Sequence, residues 1–323
     1  MSLNIGNLRL DYPVFLAPMA GVTDFPFRKT LKRISSNLSF SEMIASKELL
    51  SKSKKSMYRL GNNDLHGISA VQIAGYDPYI MSEASKLIEQ KGASIIDINM
   101  GCPAKKVTGH YSGSALMKDL DLAKNIIDST VKSVNIPVTL KMRLGWDENS
   151  RNSPELAKIA EDLGIQLITV HGRTRSQFYK GNADWNFISK IKNKVNIPII
   201  ANGDITDLDT AKRAFRLSKA DGIMIGRGAI GRPWFLSQLS KYFSYGKNIL
   251  EPNNSYKYDI VRGHYEEILS YYGKERGVKN ARKHLIGYIN SCGINKFNKD
   301  QVDSLKRVND SSLVLKLIKQ FFI

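Results

Sequence analysis

Between Val14 and Ile225 the chain repeats one alternation eight times: a short apolar, β-branched run, then a stretch with helical periodicity. No other feature constrains the fold as tightly, because parallel strands need long crossovers and this alternation is how βαβ units are written. The runs fall at residues 14–16, 38–41, 68–73, 95–99, 138–142, 167–171, 199–202 and 222–225. Eight units without a reversal of order predict closure into a (β/α)8 TIM barrel rather than an open doubly wound sheet. Val134-Asn135-Ile136-Pro137-Val138 returns as Val195-Asn196-Ile197-Pro198-Ile199, two units later. Each proline stands at a strand start, where no ladder donor is lost. Asp77-Pro78 and Ser153-Pro154 read as helix starts, with helices ending near Gln90 and Leu163.

Past Trp234 the pattern changes. Residues 245–248 and 251–255 read as a linker, and from Tyr256 to Ile323 only helical periodicity remains. The expected organisation is a catalytic barrel over residues 1–243 and a small all-helical domain over 244–323. The tail carries 14 basic and 8 acidic side chains. With a formal charge of +18 over the whole chain, this suggests a polyanionic partner, since lysines and arginines on phosphates release counterions. A Lys-rich composition without such a partner is the plain alternative. No apolar run approaches the roughly 20 residues of a membrane span, and the polar N-terminus is unlike a signal peptide, so a cytoplasmic protein is expected. The two cysteines, Cys102 and Cys292, form neither a disulfide framework nor a zinc pattern. Both are expected as free thiols, with no metal bound.

A barrel carries its chemistry where its strands end. Those positions hold Pro18, Met19 and Ala20; Gln72; Asn99 and Cys102, followed by Lys105 and Lys106; Lys141 and Arg143; His171, Arg173 and Arg175; Asn202, Gly203 and Asp204; and Gly226 and Arg227. The last two turns suit a phosphate, because glycine admits an anion close to the backbone and the loops after strands 7 and 8 are the usual phosphate site. Residues 226–231 also match GxGxxG, but this segment ends a βα series and no strand follows its helix, which argues against a dinucleotide fold. Lys141 supplies positive charge to an electron-rich ring or phosphate, or is a snorkelling lysine. His171 has no metal-ligand companion at motif spacing. Cys102, in an Asn-Met-Gly-Cys-Pro turn, is a buried hydrophobe or a chemical group. An ordinary thiol is mostly protonated at neutral pH and can serve as a general acid.

Six motifs carry a family resemblance: residues 17–24 (APMAGVTD), 97–103 (DINMGCP), 140–143 (LKMR), 170–175 (VHGRTR), 202–204 (NGD) and 225–228 (IGRG). Together, in this order, they resemble the bacterial tRNA-dihydrouridine synthases. Lys105-Lys106-Val107 and Gly231-Arg232-Pro233-Trp234 look most like the DusB branch, and Ala281-Arg282-Lys283-His284 like the basic helix of the family's C-terminal domain. The resemblance implies FMN in the barrel mouth, NADPH as reductant, and a uridine of the tRNA D-loop as substrate. It assigns the proton for C5 to Cys102. Pro18, Met19, Ala20, Gln72, Lys141 and His171 would hold the flavin ring and ribityl region, and Asn202, Gly203, Asp204, Gly226 and Arg227 the phosphate. Asn99 would orient uracil, while Lys105, Lys106, Arg173, Arg175, Lys279, Arg282 and Lys283 would meet RNA. The last three are spaced i, i+3 and i+4, on one helical face. Two other functions suit parts of the chain: a flavin barrel acting on a free pyrimidine, as in dihydroorotate dehydrogenases, and a non-catalytic RNA-binding protein. Neither accounts for the charge and the strand-end motifs together.

Overall fold

A computed structural model describes residues 2–60, 67–247, 250–292 and 299–323. An antiparallel hairpin, β1 (Leu3–Ile5) and β2 (Leu8–Leu10), opens the chain. There follow β3 (Val14–Leu16), β4 (Ile44–Ala45), β5 (Ala70–Ala74), β6 (Ile95–Met100), β7 (Val138–Arg143), β8 (Ile168–His171), β9 (Ile199–Asn202) and β10 (Gly222–Ile225). These eight are parallel, in the order β3-β10-β9-β8-β7-β6-β5-β4. Single bridges from Leu16 to Ser39 and from Phe40 to Ala70 join the two ends. The chain is a (β/α)8 barrel followed by helices, as its alternation predicts.

The second strand departs from expectation. Residues 38–41 contribute only the bridges at Ser39 and Phe40, and regular pairing resumes at β4. A side chain has replaced a ladder partner: the Gln72 backbone N–H donates to Ser41 Oγ at 3.0 Å. Beyond it, Glu42 turns to accept the Gly21 N–H at 2.6 Å.

Strand alternation divides the side chains. Val14, Ile96, Ile98, Leu140, Val170 and Ile223 face the helices in the main core, whereas Phe15, Ala70, Ile95, Leu167, Ile200 and Met224 fill the barrel interior. Leu3, Ile5 and Leu10 belong to this inner cluster, so the hairpin plugs the N-terminal end of the barrel, a role its short polar sequence did not reveal. Higher up, inward positions are polar: Gln72, Asp97, Asn99, Thr139 and Lys141 are all buried. A polar layer in a barrel core is costly unless satisfied, and this one sits beneath the C-terminal ends of the strands.

Start signals act as predicted at α4 (Pro78–Gln90), where Asp77 accepts the Ile80 N–H at 3.0 Å; three short helices precede it, α1 (Phe25–Ile34), α2 (Ser46–Leu50) and α3 (Lys54–Leu60). The repeated Val-Asn-Ile-Pro turn has a repeated cause. Glu89, from α4, accepts the N–H groups of Asn135 and Ile136 at 2.8 and 3.2 Å, and Glu161 accepts those of Asn196 and Ile197 at 2.6 and 3.2 Å. One helix carboxylate thus holds the entry to each strand.

At the C-terminus, helices Asn254–Tyr272, Lys274–Ser291, Lys299–Arg307 and Ser311–Phe322 pack around a second core that includes Val261, Tyr265, Leu285, Tyr288 and Phe321. The first of them docks on α1. Glu267 pairs with Lys29 at 2.9 Å and with Arg33, and Phe27 stacks on His284 with His264 edge-on. Asp24 caps α1 through the Phe27 N–H at 3.1 Å and accepts the Tyr272 hydroxyl at 3.0 Å. Asp24, His264 and His284 thus gather within 4.8 Å at this buried seam, a grouping that sequence spacing hides. Burial pushes the His264 imidazole down to about 3 and that of His284 well below its usual range, so both imidazoles are neutral at neutral pH. Among the described residues no helix is long and apolar enough to cross a membrane.

Candidate active site

The ends of the strands surround a cleft of about 910 Å3, within the roughly 300–1,000 Å3 of small-molecule and cofactor sites. Pro18, Met19, Ala20, Gln72, Asn99, Cys102, Lys141, His171, Asn202, Gly203, Asp204, Gly226 and Arg227 all line it. The expected cofactor and catalytic positions are therefore brought together. Of the residues expected at RNA, only Asn99 is among them.

Cys102 sits where β6 breaks into a loop. Its backbone N–H and that of Gly101 donate to Asn99 Oδ1 at 2.9 and 3.1 Å, and its carbonyl accepts the Ser114 N–H and hydroxyl at 3.1 and 2.8 Å. Asn99 thus shapes the cysteine turn, besides facing the cleft. Lys105 and Lys106 follow on an exposed single turn, Lys105–Thr108.

Lys141 does not snorkel. It is buried and donates to Asn202 Oδ1 at 3.1 Å, while Asn202 Nδ2 donates to the Met224 carbonyl at 2.8 Å. Burial, together with Arg143, lowers its pKa to about 8 although Asp97 opposes the change. His171 is pushed well below its usual range by burial and by the neighbouring Arg143, Lys141, Arg173 and Arg227, so a neutral imidazole faces the cleft at neutral pH. Asp97, beneath them, is raised to about 6 by burial, despite hydrogen bonds from Gln72 and Thr139.

Several expected contacts need correction. Arg173 is only 2% exposed. Its guanidinium is consumed by a two-pronged pair with Asp204 at 2.9 and 2.6 Å and by the carbonyls of Gly181 and Lys180 at 2.6 and 3.1 Å. A guanidinium so satisfied and so buried cannot meet RNA. The same pair redefines Asp204, whose carboxylate also accepts the Ala183 N–H at 2.8 Å and lies 3.4 Å from Arg227. That carboxylate is a counter-ion, and only the turn around it remains available to a phosphate. Arg175 lies over the rings of Trp146 and Phe178, 4.4 and 5.0 Å from their centroids, outside the cleft lining. Arg282 donates to Asn309 Oδ1 at 2.8 Å and to the Val308 carbonyl at 3.2 Å, tying its helix to the connection between the last two. Of the basic trio on Lys274–Ser291, Lys279 and Lys283 stay exposed, Lys279 paired to Glu275 and Lys283 close to Gly21 on the loop after β3.

Two lining residues were given no role by the sequence. Arg143 donates to the carbonyls of Gly101, Thr174 and Phe178 at 2.7, 2.8 and 2.9 Å, and so laces the loops after β6 and β8 together. Its position in Leu-Lys-Met-Arg, two residues beyond Lys141, was the available signal. Tyr179, 55% exposed at the cleft mouth, lies under Arg143 and Arg227, whose guanidinium carbons are 5.7 and 5.3 Å from its ring centre. Nothing local marks it, because a tyrosine in a polar loop looks like any other.

The GxGxxG match has a packing explanation. Gly226 lines the cleft, but a Cβ on Gly228 would overlap the Ile205 carbonyl, and Gly231 (φ +73°) lies against the Gly287 carbonyl of a tail helix.

An eight-stranded parallel barrel with cations, a thiol and two glycine turns converging on its C-terminal mouth defines an α/β-barrel enzyme. Comparison with solved structures agrees. The fold is similar to that of a morphinone reductase in complex with tetrahydroNAD (TM-score 0.56, 14% identity, 79% of this chain and 93% of that one). It is also similar to histamine dehydrogenase from Rhizobium sp. 4-9 (TM-score 0.56, 14% identity, 82% and 50%). The Dihydrouridine synthase (Dus) family pattern matches residues 15–321. A probable tRNA-dihydrouridine synthase of Rickettsia prowazekii is 53% identical over 289 residues, covering 89% of this chain and 88% of the relative. The tRNA-dihydrouridine synthase B of Pasteurella multocida is 46% identical over 287 residues, covering 89% and 86%. The chain belongs to the dihydrouridine synthase family.

Proposed function

We propose that the protein is an FMN-dependent tRNA-dihydrouridine synthase that uses NADPH to reduce the C5–C6 double bond of a D-loop uridine. The observation that carries this reading is the convergence of Cys102 with Lys141, His171 and the Gly203 and Gly226 turns on one cleft. The donor set fits FMN. Gly203–Asp204 and Gly226–Arg227 close adjacent strands, bring Arg227 beside backbone that admits a phosphate, and leave Pro18, Met19 and Ala20 as an apolar wall for a ring. Bound FMN, reduced by NADPH, would supply hydride to C6 of uracil.

The chain's own groups do the rest. Cys102 holds the proton on Sγ and gives it to C5, leaving a thiolate that regains a proton from solvent. Lys141 presents positive charge to an electron-rich ring, and neutral His171 can offer a hydrogen bond without adding charge. Arg143 holds the loop that carries Cys102, and Asn99 has one Nδ2 hydrogen left for uracil. A uridine inside folded tRNA must be extruded, at a cost of a few kcal/mol. Exposed Lys105, Lys106, Lys279 and Lys283 would offset this through phosphate contacts. We assign residues 1–243 to catalysis and 244–323 to RNA binding, and place the protein in the cytoplasm with its substrate.

The test is Cys102→Ala in purified protein. FMN absorbance and tRNA binding should persist while dihydrouridine, mapped in tRNA by mass spectrometry, forms about 100-fold more slowly or less. Wild-type rates in this variant would remove the thiol from the reaction, and a wild-type protein that forms no dihydrouridine would refute the reading itself.

A further inference from the structure

Below the cleft floor runs a chain of hydrogen bonds whose direction is set at both ends, by a carboxylate that only accepts and by backbone N–H groups that only donate. Asp97 is 1% exposed on β6, with its side chain inside the barrel. It accepts from Thr139 Oγ1 at 2.7 Å and from Gln72 Nε2 at 2.6 Å. Gln72 Oε1 accepts from Asn99 Nδ2 at 2.7 Å, and Asn99 Oδ1 accepts the Gly101 and Cys102 N–H groups. A carboxylate only accepts. Gln72 must therefore turn its NH2 toward Asp97 and its oxygen toward Asn99. Asn99 must in turn donate to Gln72 and present its own oxygen to the backbone of Cys102. Reversing either amide would set oxygen against oxygen inside a site shielded from water, where an unmade bond costs its full desolvation penalty.

We infer that Asp97 is a positioning residue for the thiol: through Gln72 and Asn99 it sets the amide orientations that hold the Cys102 turn in its reactive geometry. Asp97 lies two residues before Asn99 on the same strand and is not itself part of the cleft lining, which it reaches only through Gln72. Its effect on the turn passes through strand β5, at the Gln72–Asp97 register pair. This inference rests on the proposed reaction for its kinetic consequence, while its structural consequence can be measured independently.

The experiment compares wild type, Asp97→Ala and Asp97→Asn as FMN-saturated full-length protein. Alkylation by iodoacetamide is followed by peptide mass spectrometry, with Cys292 as the internal reference. In Asp97→Ala the Cys102/Cys292 labelling ratio should rise about 5-fold or more as Gln72 loses its fixed acceptor and with it the orientation that holds Asn99 against the turn, and kcat should fall about 10-fold or more with KM for tRNA within about 2-fold. Asp97→Asn can still accept from Gln72 while Thr139 accepts from its NH2, so it should restore both readouts to near wild type. Should Asp97→Ala fail to fold, Asn99→Asp carries the same test from the cleft side, since its second oxygen would face Gln72 Oε1. A labelling ratio unchanged within about 2-fold in the variant that folds, or an Asp97→Asn that behaves like Asp97→Ala, overturns the inference. Wild type that labels as expected yet forms no dihydrouridine would instead refute the proposed function and leave the relay standing.

Discussion

Replacing Asp204 by Asn tests the reading of the phosphate end most directly. The substitution keeps the size of the side chain and suits the left-handed backbone there (φ +53°), and it removes the charge while turning one of two accepting oxygens, each facing an Arg173 N–H, into a donor. Arg173, 2% exposed, would be left with a buried guanidinium and no full counter-ion. Breaking a buried pair from one side costs about 3–5 kcal/mol. Because Asp204 retains 25% side-chain exposure, the lower end, about 3 kcal/mol, is expected. At 2–4 °C per kcal/mol for a domain of this size, Tm should fall by about 6–12 °C, measured by circular dichroism without added FMN. Adding Arg173→Met removes the stranded charge, and the double variant should recover at least half of the loss. If Asp204→Asn melts within about 2 °C of wild type, the pair is not the structural lock described above. Arg173 would then have to be solvated enough to reach a ligand.

Other consequences are as concrete. Lys141 is charged below about pH 8, so FMN affinity should weaken about 10-fold as pH rises through that value. In Lys141→Met the affinity should be uniformly weak and flat with pH by fluorescence titration; a retained pH step would assign it to another group. Asp97, raised to about 6, keeps a proton in the folded chain over a range where the unfolded chain releases it near about 4. Its contribution to stability therefore falls as pH rises from about 4 to 6, and Asp97→Asn should remove that slope in urea melts taken across the range. Gly231→Ala would combine an unfavourable φ of +73° with overlap on the Gly287 carbonyl. It should loosen the tail from the barrel, seen as faster proteolysis between residues 250 and 253 at unchanged FMN content, whereas wild-type resistance would mean the contact is dispensable.

Much of this protein is written locally. β-branched runs spaced by helix signals specify a barrel because strand and helix periodicities are short-range properties. Barrel geometry then sends the residues after each run to one rim, so Cys102, Lys141, His171 and the Gly203 and Gly226 turns could be gathered before any coordinates. Breaks in that logic came wherever a side chain took over a backbone role. Ser41 supplied the partner of the Gln72 N–H and interrupted the second strand, and the N-terminal hairpin became a plug only by meeting the barrel interior.

Sequence by itself therefore determined the fold class, the family and the strand-end positions that meet at the cleft. Tertiary structure alone decided what each charged or amide group does there, since a hydrogen bond depends on which atoms face each other across strands. Arg173 carries the same charge as any RNA-binding arginine, but Asp204, 31 residues on, consumes it, while the 307–309 segment engages one nitrogen of Arg282. Asn99 lines the cleft and also shapes the cysteine turn because Gln72, on a different strand, fixes its amide. Periodicity encodes where a side chain points; only the packed barrel supplies the partner it meets.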